Sequence, residues 1–244
     1  MENKYILLWL EAPLQSWGFD SKFGRRDTLP FPTRSGIIGL LFCAMGASGE
    51  QRELLASMKS YKQTVISFNR CKKGESDELV KKDREPLLKD FHMVGAGYKT
   101  DPKADPWQAM LEPYLADGKR RTSDGGGAKM TFRYYLQDAA FAVIMEIPGE
   151  LEESFISALK SPVYDIYLGR KNCVPTAFIY QGCFDTEILA NNRAMEIMEE
   201  KNLAEDFRVL EGDHEGETMT LNDVPVQFGP VKKYQDRRVT VVYS

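Results

Sequence analysis

Residues 31–41 read FPTRSGIIGLL, and the start of a helix inside this run decides how the rest of the chain is read. Pro32 ends an extended approach, and Thr33 is a good N-cap whose hydroxyl accepts a free backbone N–H of the first turn. Ile38, Leu41, Phe42 and Met45 follow at helical spacing, so one face of the helix is expected to be buried. Gly36 and Gly39 leave its first turns bare and open to another backbone. Arg34, with Lys22, Arg25 and Arg26 a few residues upstream, sets basic side chains beside free helix N–H groups, a natural seat for phosphate. On the local pattern alone, a capped core helix with a solvated arginine is the simpler reading.

Upstream, Lys4 to Glu11 (KYILLWLE) is a continuous apolar run rich in β-formers and reads as a buried strand. Gln15 to Pro30 is a polar loop carrying Trp17, Phe19 and Phe23. Downstream, Gln51 to Ser60 reads as a short helix and Thr64 to Phe68 as a second strand. From Lys72 to about Lys129 the character changes. A charged run, GESDELVKKDRE, leads to LKDFHMVGAGY and then to an amphipathic piece. There Asp105 caps, Pro106 opens the helix, and Trp107, Met110, Leu111, Tyr114 and Leu115 share a face, with Pro113 interrupting. The segment closes with GKRRTSDGGGAKMTFRYY, basic on both sides of a triple glycine.

Thr131 to Leu136 and Phe141 to Ile147 read as strands, Glu150 to Lys160 as a helix and Phe178 to Phe184 as a strand. The order predicts an α+β chain with a ferredoxin-like (RRM-like) βαββαβ core whose central hairpin is greatly elongated at about 72–129. Residues 1–184 are expected to form this domain. Residues 185–244 are expected to be an appended β-rich region, with one helix to about Asn202 and short strands at Arg208–Leu210 and Val239–Tyr243.

The net charge of -4 argues against indiscriminate coating of nucleic acid, though not against a local basic groove. Cys43, Cys71, Cys173 and Cys183 are scattered, as expected of a reduced, cytoplasmic protein without a disulfide framework. No stretch suits a signal peptide or a bilayer span, so no membrane partner is expected. His92 and His214 stand at no metal-ligand spacing, and no nucleotide-binding fingerprint or nucleophile elbow is present, so no metal and no cofactor are expected.

Basic residues interleaved with aromatics remain, in four places. The first is Lys22, Arg25, Arg26 and Arg34 near Phe19 and Phe23. The second is Lys119, Arg120, Arg121, Lys129 and Arg133 beside Phe132, Tyr134 and Tyr135. The third is YLGRKNCVP, with Gly169, Arg170 and Lys171 after Tyr167. The fourth is Lys232, Lys233, Arg237 and Arg238 around Tyr234. Each alone fits a solvated surface; together, in a net acidic chain, they suit single-stranded RNA held by phosphate contacts and base stacking. Trp9 and Trp107 read as packing residues, and Trp17 suits either role. Tyr134 and Tyr135, adjacent on a strand, should face opposite sides.

LLWLEAPLQSWG, FPTRSGIIGLL, KDFHMVG, RYYLQDAAFAV and YLGRKNCVP occur in an order that resembles the CasD-type subunits of type I-E CRISPR Cascade complexes. The resemblance runs from Tyr5 to about Pro175. It implies a non-catalytic subunit for antiviral defence that caps the 5′ handle of the CRISPR RNA. The implied partners are the backbone and large subunits of Cascade, with target DNA met only through the complex. The insertion falls where the family carries a thumb that bends the RNA. The resemblance places Thr33, Arg34, Ser35, Gly36, Gly169, Arg170 and Lys171 on the handle, with Arg25 and Arg26 close by. NCVPT departs from the family, whose proline tends to follow the cysteine directly. The alternative is a metal-independent endoribonuclease acting on precursor CRISPR RNA, with His92, Lys89 and Tyr98 as acid and base. Against it, His92 reads as a structural residue in a turn at the base of the thumb.

Overall fold

In chain order the strands are β1 (Lys4–Glu11), β2 (Leu14–Gln15), β3 (Arg25–Arg26), β4 (Gln63–Lys73), β5 (Leu79–Lys81), β6 (Leu88–Val94), β7 (Lys129–Gln137), β8 (Ala140–Ile147), β9 (Tyr180–Phe184), β10 (Leu203–Glu211), β11 (Glu217–Gln227) and β12 (Lys233–Tyr243). Among the described residues the α-helices are α1 (Arg34–Met45), α2 (Arg52–Ser57), α3 (Glu152–Lys160) and α4 (Glu187–Glu200). The structure, a computed structural model, describes residues 2–19, 21, 24–74, 79–94 and 129–244. The expected helix around Trp107, the basic residues Lys119, Arg120 and Arg121, and Tyr98, Lys22 and Phe23 lie outside the described residues.

β1 is covered on both sides, which is why its sequence is continuously apolar and does not alternate. Ile6, Leu8 and Leu10 enter one buried cluster, and Leu7 and Trp9 enter another. β1 pairs antiparallel with β8 on one side and β9 on the other. The main sheet runs β11-β12-β10-β4-β8-β1-β9, with β5 added beside β4. A smaller sheet is built on β7, which pairs antiparallel with β2 and β6 and parallel with β3.

Two layers of helix enclose the main sheet. Ile37, Ile38, Leu40 and Leu41 of α1 and Phe155 and Leu159 of α3 pack on the Ile6–Leu8–Leu10 face. On the other face α4 brings Ala190, Ala194 and Ile197 down on Leu7, Trp9, Ile66 and Phe68. The two alanines let the helix sit close. The Trp9 ring stacks on Phe68 with centroids 5.1 Å apart, and its indole N–H donates to Glu11 at 3.0 Å.

Three elements differ from the sequence reading. LKDFHMV is a strand, because Leu88 to Val94 pair along their length with Tyr135 to Lys129; His92 therefore lies in β6 and not in a turn. β11 has no counterpart in the sequence reading: register shifts after Asn222 and Pro225 break its alternation, and Pro225 is tolerated because β11 ends the sheet. The sheet also runs across the expected boundary at 184/185, since β10 pairs directly with β4.

Trp9→Ala is expected to lower stability by about 3–5 kcal/mol, read as a lower urea midpoint. An unchanged midpoint would contradict the burial of this sheet face.

Candidate nucleic-acid interface

At the start of α1 the geometry departs most from the sequence reading. Thr33 caps the helix, its hydroxyl accepting from Gly36 N–H at 3.1 Å. The Arg34 backbone N–H donates to Asp223 at 2.7 Å, so a protein carboxylate already occupies the helix N-terminus. The Arg34 side chain is only 2% exposed and turns inward. Its guanidinium donates to Glu211 at 2.8 Å, to the Met58 carbonyl at 2.8 Å, and to the carbonyls of Lys59 and Tyr61. Arg237 completes the cluster, donating to Asp223 at 2.7 and 3.0 Å and to Glu211 at 3.0 Å. Burial pulls the Arg34 guanidinium below its ordinary value, with Glu211 and Asp223 opposing that shift. The expected phosphate contact of Arg34 is therefore corrected: two arginines and two carboxylates neutralise one another inside the protein. Thr33 is buried with its hydroxyl committed to the cap, and it also lies on the wall of the groove described below.

The loop after α3 is seated just as firmly. Gly169 has φ +100°, and a Cβ there would lie 1.7 Å from the Ser16 carbonyl oxygen, so no larger residue fits. Ser16 N–H donates to the Leu168 carbonyl at 3.1 Å, and Leu168 and Cys173 are fully buried beneath. Arg170 then reaches across to the smaller sheet. It donates to the carbonyls of Tyr134 and Arg26 at 3.0 Å each and stacks over the buried Tyr135 ring at 4.6 Å. Two of its five N–H groups are used in these bonds, leaving others for an anion.

Between α1 and this loop lies an open groove of about 730 Å³. Ser35, Gly36 and Gly39 of α1 form one wall, and Tyr164 to Tyr167 with Gly169 and Arg170 form the other. Arg26 stands at one end. Phe228 and Lys232 of the β11–β12 turn and Tyr234 at the start of β12 also line it. The helix start, the Gly169–Arg170 loop and Arg26, far apart in sequence, thus meet on one surface. Lys171 and Arg133 do not line it, and Arg25 turns to the other side of β3, where it pairs with Asp27 at 2.7 Å.

The two helix glycines have different roles. A Cβ on Gly36 would come within 2.9 Å of the Trp17 ring, so this glycine accommodates Trp17, which is buried and donates to Gln15 at 3.1 Å. A Cβ on Gly39 would meet nothing within 4 Å. Gly39 therefore carries the helix cost of glycine, about 1 kcal/mol relative to alanine, with no packing reason among the described residues. Lys232 and Tyr234 belong to the fourth basic cluster but were not among the predicted site residues. The signal is that Lys232 lies in the turn FGPVKKY, whereas Arg237, the member of that cluster used in the buried ion network, lies further along β12.

The alternative catalytic set is not assembled. His92 bonds Asp90 on its own strand, and Lys89 lies over the Phe132 ring at 4.5 Å. Three residues apart on β6, they leave opposite faces of the strand. Neither lines the groove.

A family model described as CRISPR-associated protein (Cas_Cas5) matches residues 5–240. The CRISPR system Cascade subunit CasD of Escherichia coli (strain K12) is 33% identical over 189 residues, covering 74% of this chain and 71% of that protein. A chain of a CRISPR RNA-guided surveillance complex superimposes with a TM-score of 0.67 at 30% identity, over 98% of this chain and 90% of its own. A further solved structure, described as a crystal structure of a Cas protein, gives 0.54 at 26% identity, over 98% and 94%. This chain belongs to the Cas5 family of CRISPR-associated proteins.

Arg34→Ala is expected to cost about 3–5 kcal/mol, because it leaves Glu211 and Asp223 buried with half their compensation. Denaturant unfolding checks this; a loss below about 1 kcal/mol would mean that the cluster behaves as a surface ion pair.

Proposed function

We propose that this chain is a non-catalytic subunit of a CRISPR Cascade surveillance complex, acting in the cytoplasm, and that it seats the 5′ handle of the guide RNA in the groove. The observation that carries the reading is the convergence of Ser35, Gly36 and Gly39, the Gly169–Arg170 loop, Arg26 and Lys232 on one open surface of an acidic protein. Cations there can meet phosphates, and Tyr164, Tyr167 and Tyr234 offer rings for bases. The similarity to CasD and to a chain of an RNA-guided surveillance complex supports the same assignment. It extends the expected partners to the backbone and large subunits, with target DNA met through the assembly. Lys171 and Arg133, outside the groove, are assigned to RNA further along its path.

We further read strands β4, β8, β1 and β9, with α1 and α3, as a ferredoxin-like core. Their order and antiparallel pairing match that arrangement. In an RRM the sheet face away from the two helices stacks bases; here α4 covers it. The groove along α1 is the surface left for RNA. The nuclease alternative is not favoured, since Lys89 and His92 face apart.

The test is guide-RNA binding in the purified complex. Gly39→Ala should leave the free subunit as stable or more stable while weakening RNA uptake, because the added methyl occupies groove space. Lys232→Ala should reduce the slope of log affinity against log salt by about 0.7, the loss of one phosphate contact on a single strand. RNA content and salt slope unchanged in both variants would sink the groove assignment.

A further inference from the structure

The smaller sheet carries a second surface that the groove does not include. Alternation along β7 sends Met130, Phe132 and Tyr134 to one side, and cross-strand pairing sets Phe91 opposite Phe132 and Lys89 opposite Tyr134. Arg25 of β3 lies in register with Phe132. These side chains form an exposed aromatic face: Phe91 is 50% exposed, Phe132 39% and Met130 57%. The Phe91 and Phe132 rings lie 5.4 Å apart at 45°. Lys89 stands 4.5 Å from the centre of the Phe132 ring and Arg25 5.0 Å from that of Tyr134. Asp27 pairs with Arg25, while among the described residues Lys89 has no carboxylate partner.

The face adjoins the groove. β3 alternates, so Arg26 lines the groove while Arg25 reaches the aromatic face. Arg170 holds the seam between them through the carbonyls of Arg26 and Tyr134.

We propose that Phe91, Phe132 and Tyr134 form a base-stacking platform for the single-stranded RNA that leaves the groove across β3, with Lys89 and Arg25 beside its phosphates. This rests on the groove reading and extends it by a second contact on the same strand. Exposed rings flanked by cations on an open sheet face are the chemistry that binds single strands without regard to sequence. An apolar protein partner would use the same rings but gains nothing from cations poised over them.

The experiment uses the assembled complex loaded with guide RNA carrying 2-aminopurine at successive single positions. Binding is compared for the native chain, the double variant Phe91→Leu/Phe132→Leu and the double variant Phe91→Tyr/Phe132→Tyr. Leucine keeps apolar contact but removes stacking; tyrosine keeps stacking. The expected result is one or two quenched positions just beyond the groove, lost in the leucine variant with about tenfold weaker RNA binding and retained in the tyrosine variant. Unchanged quenching and affinity in the leucine variant would overturn the platform. So would loss of subunit assembly with RNA binding intact, which would mark the face as a protein interface. Lys232→Ala in parallel separates the readings: if it weakens RNA binding while the leucine variant does not, only the platform fails.

Discussion

The buried cluster of Arg34, Glu211, Arg237 and Asp223 ties the first helix of the chain to its last strands. Removing four charges from water is costly, and the cluster is tenable because each charge has an opposite neighbour and Arg34 also satisfies three backbone carbonyls. Asp223 does two jobs, accepting from the first N–H of α1 and from Arg237. β10, β11 and β12 are therefore held against the start of α1. That docking brings the β11–β12 turn, with Lys232 and Tyr234, to the groove. Without it, the groove would lose the members supplied by the C-terminal strands.

A second constraint acts on the other side of the sheet. α4 covers the face that would otherwise be open, with Ala190 and Ala194 pressed on Leu7 and Trp9. An aromatic pair there, Trp9 on Phe68, is core and cannot stack a base. The open groove and the exposed rings of the smaller sheet lie away from this covered face, joined through Arg170. The two layers of helix thus dictate where a nucleic acid could meet this protein.

Much of the framework was legible because it rests on local rules. The continuous apolar run of β1, the Thr33 cap, and the division of Tyr134 from Tyr135, with only Tyr135 fully buried, follow from spacing alone. The fate of Arg34 was not legible, because its neutralising partners stand at positions 211 and 223, far along the chain. Local sequence shows an arginine beside a helix N-terminus; only the tertiary fold shows that a carboxylate has taken the phosphate's place. Gly36 and Gly39 look alike in sequence and differ because Trp17 packs on one of them. β11 has no clear strand pattern in sequence because its bulges disrupt the period that marks a strand.

In the groove reading proposed above, RNA meets the open side of α1 and the loops beside it, and not the Arg34 amide. Amide hydrogen exchange of the subunit within the complex, with and without guide RNA, tests it directly. RNA is expected to slow exchange in peptides spanning 164–170 and 228–234, while the amide of Arg34, bonded to Asp223, is protected equally in both states. RNA-dependent protection confined to the Arg34 amide, with the two loops unchanged, would contradict it.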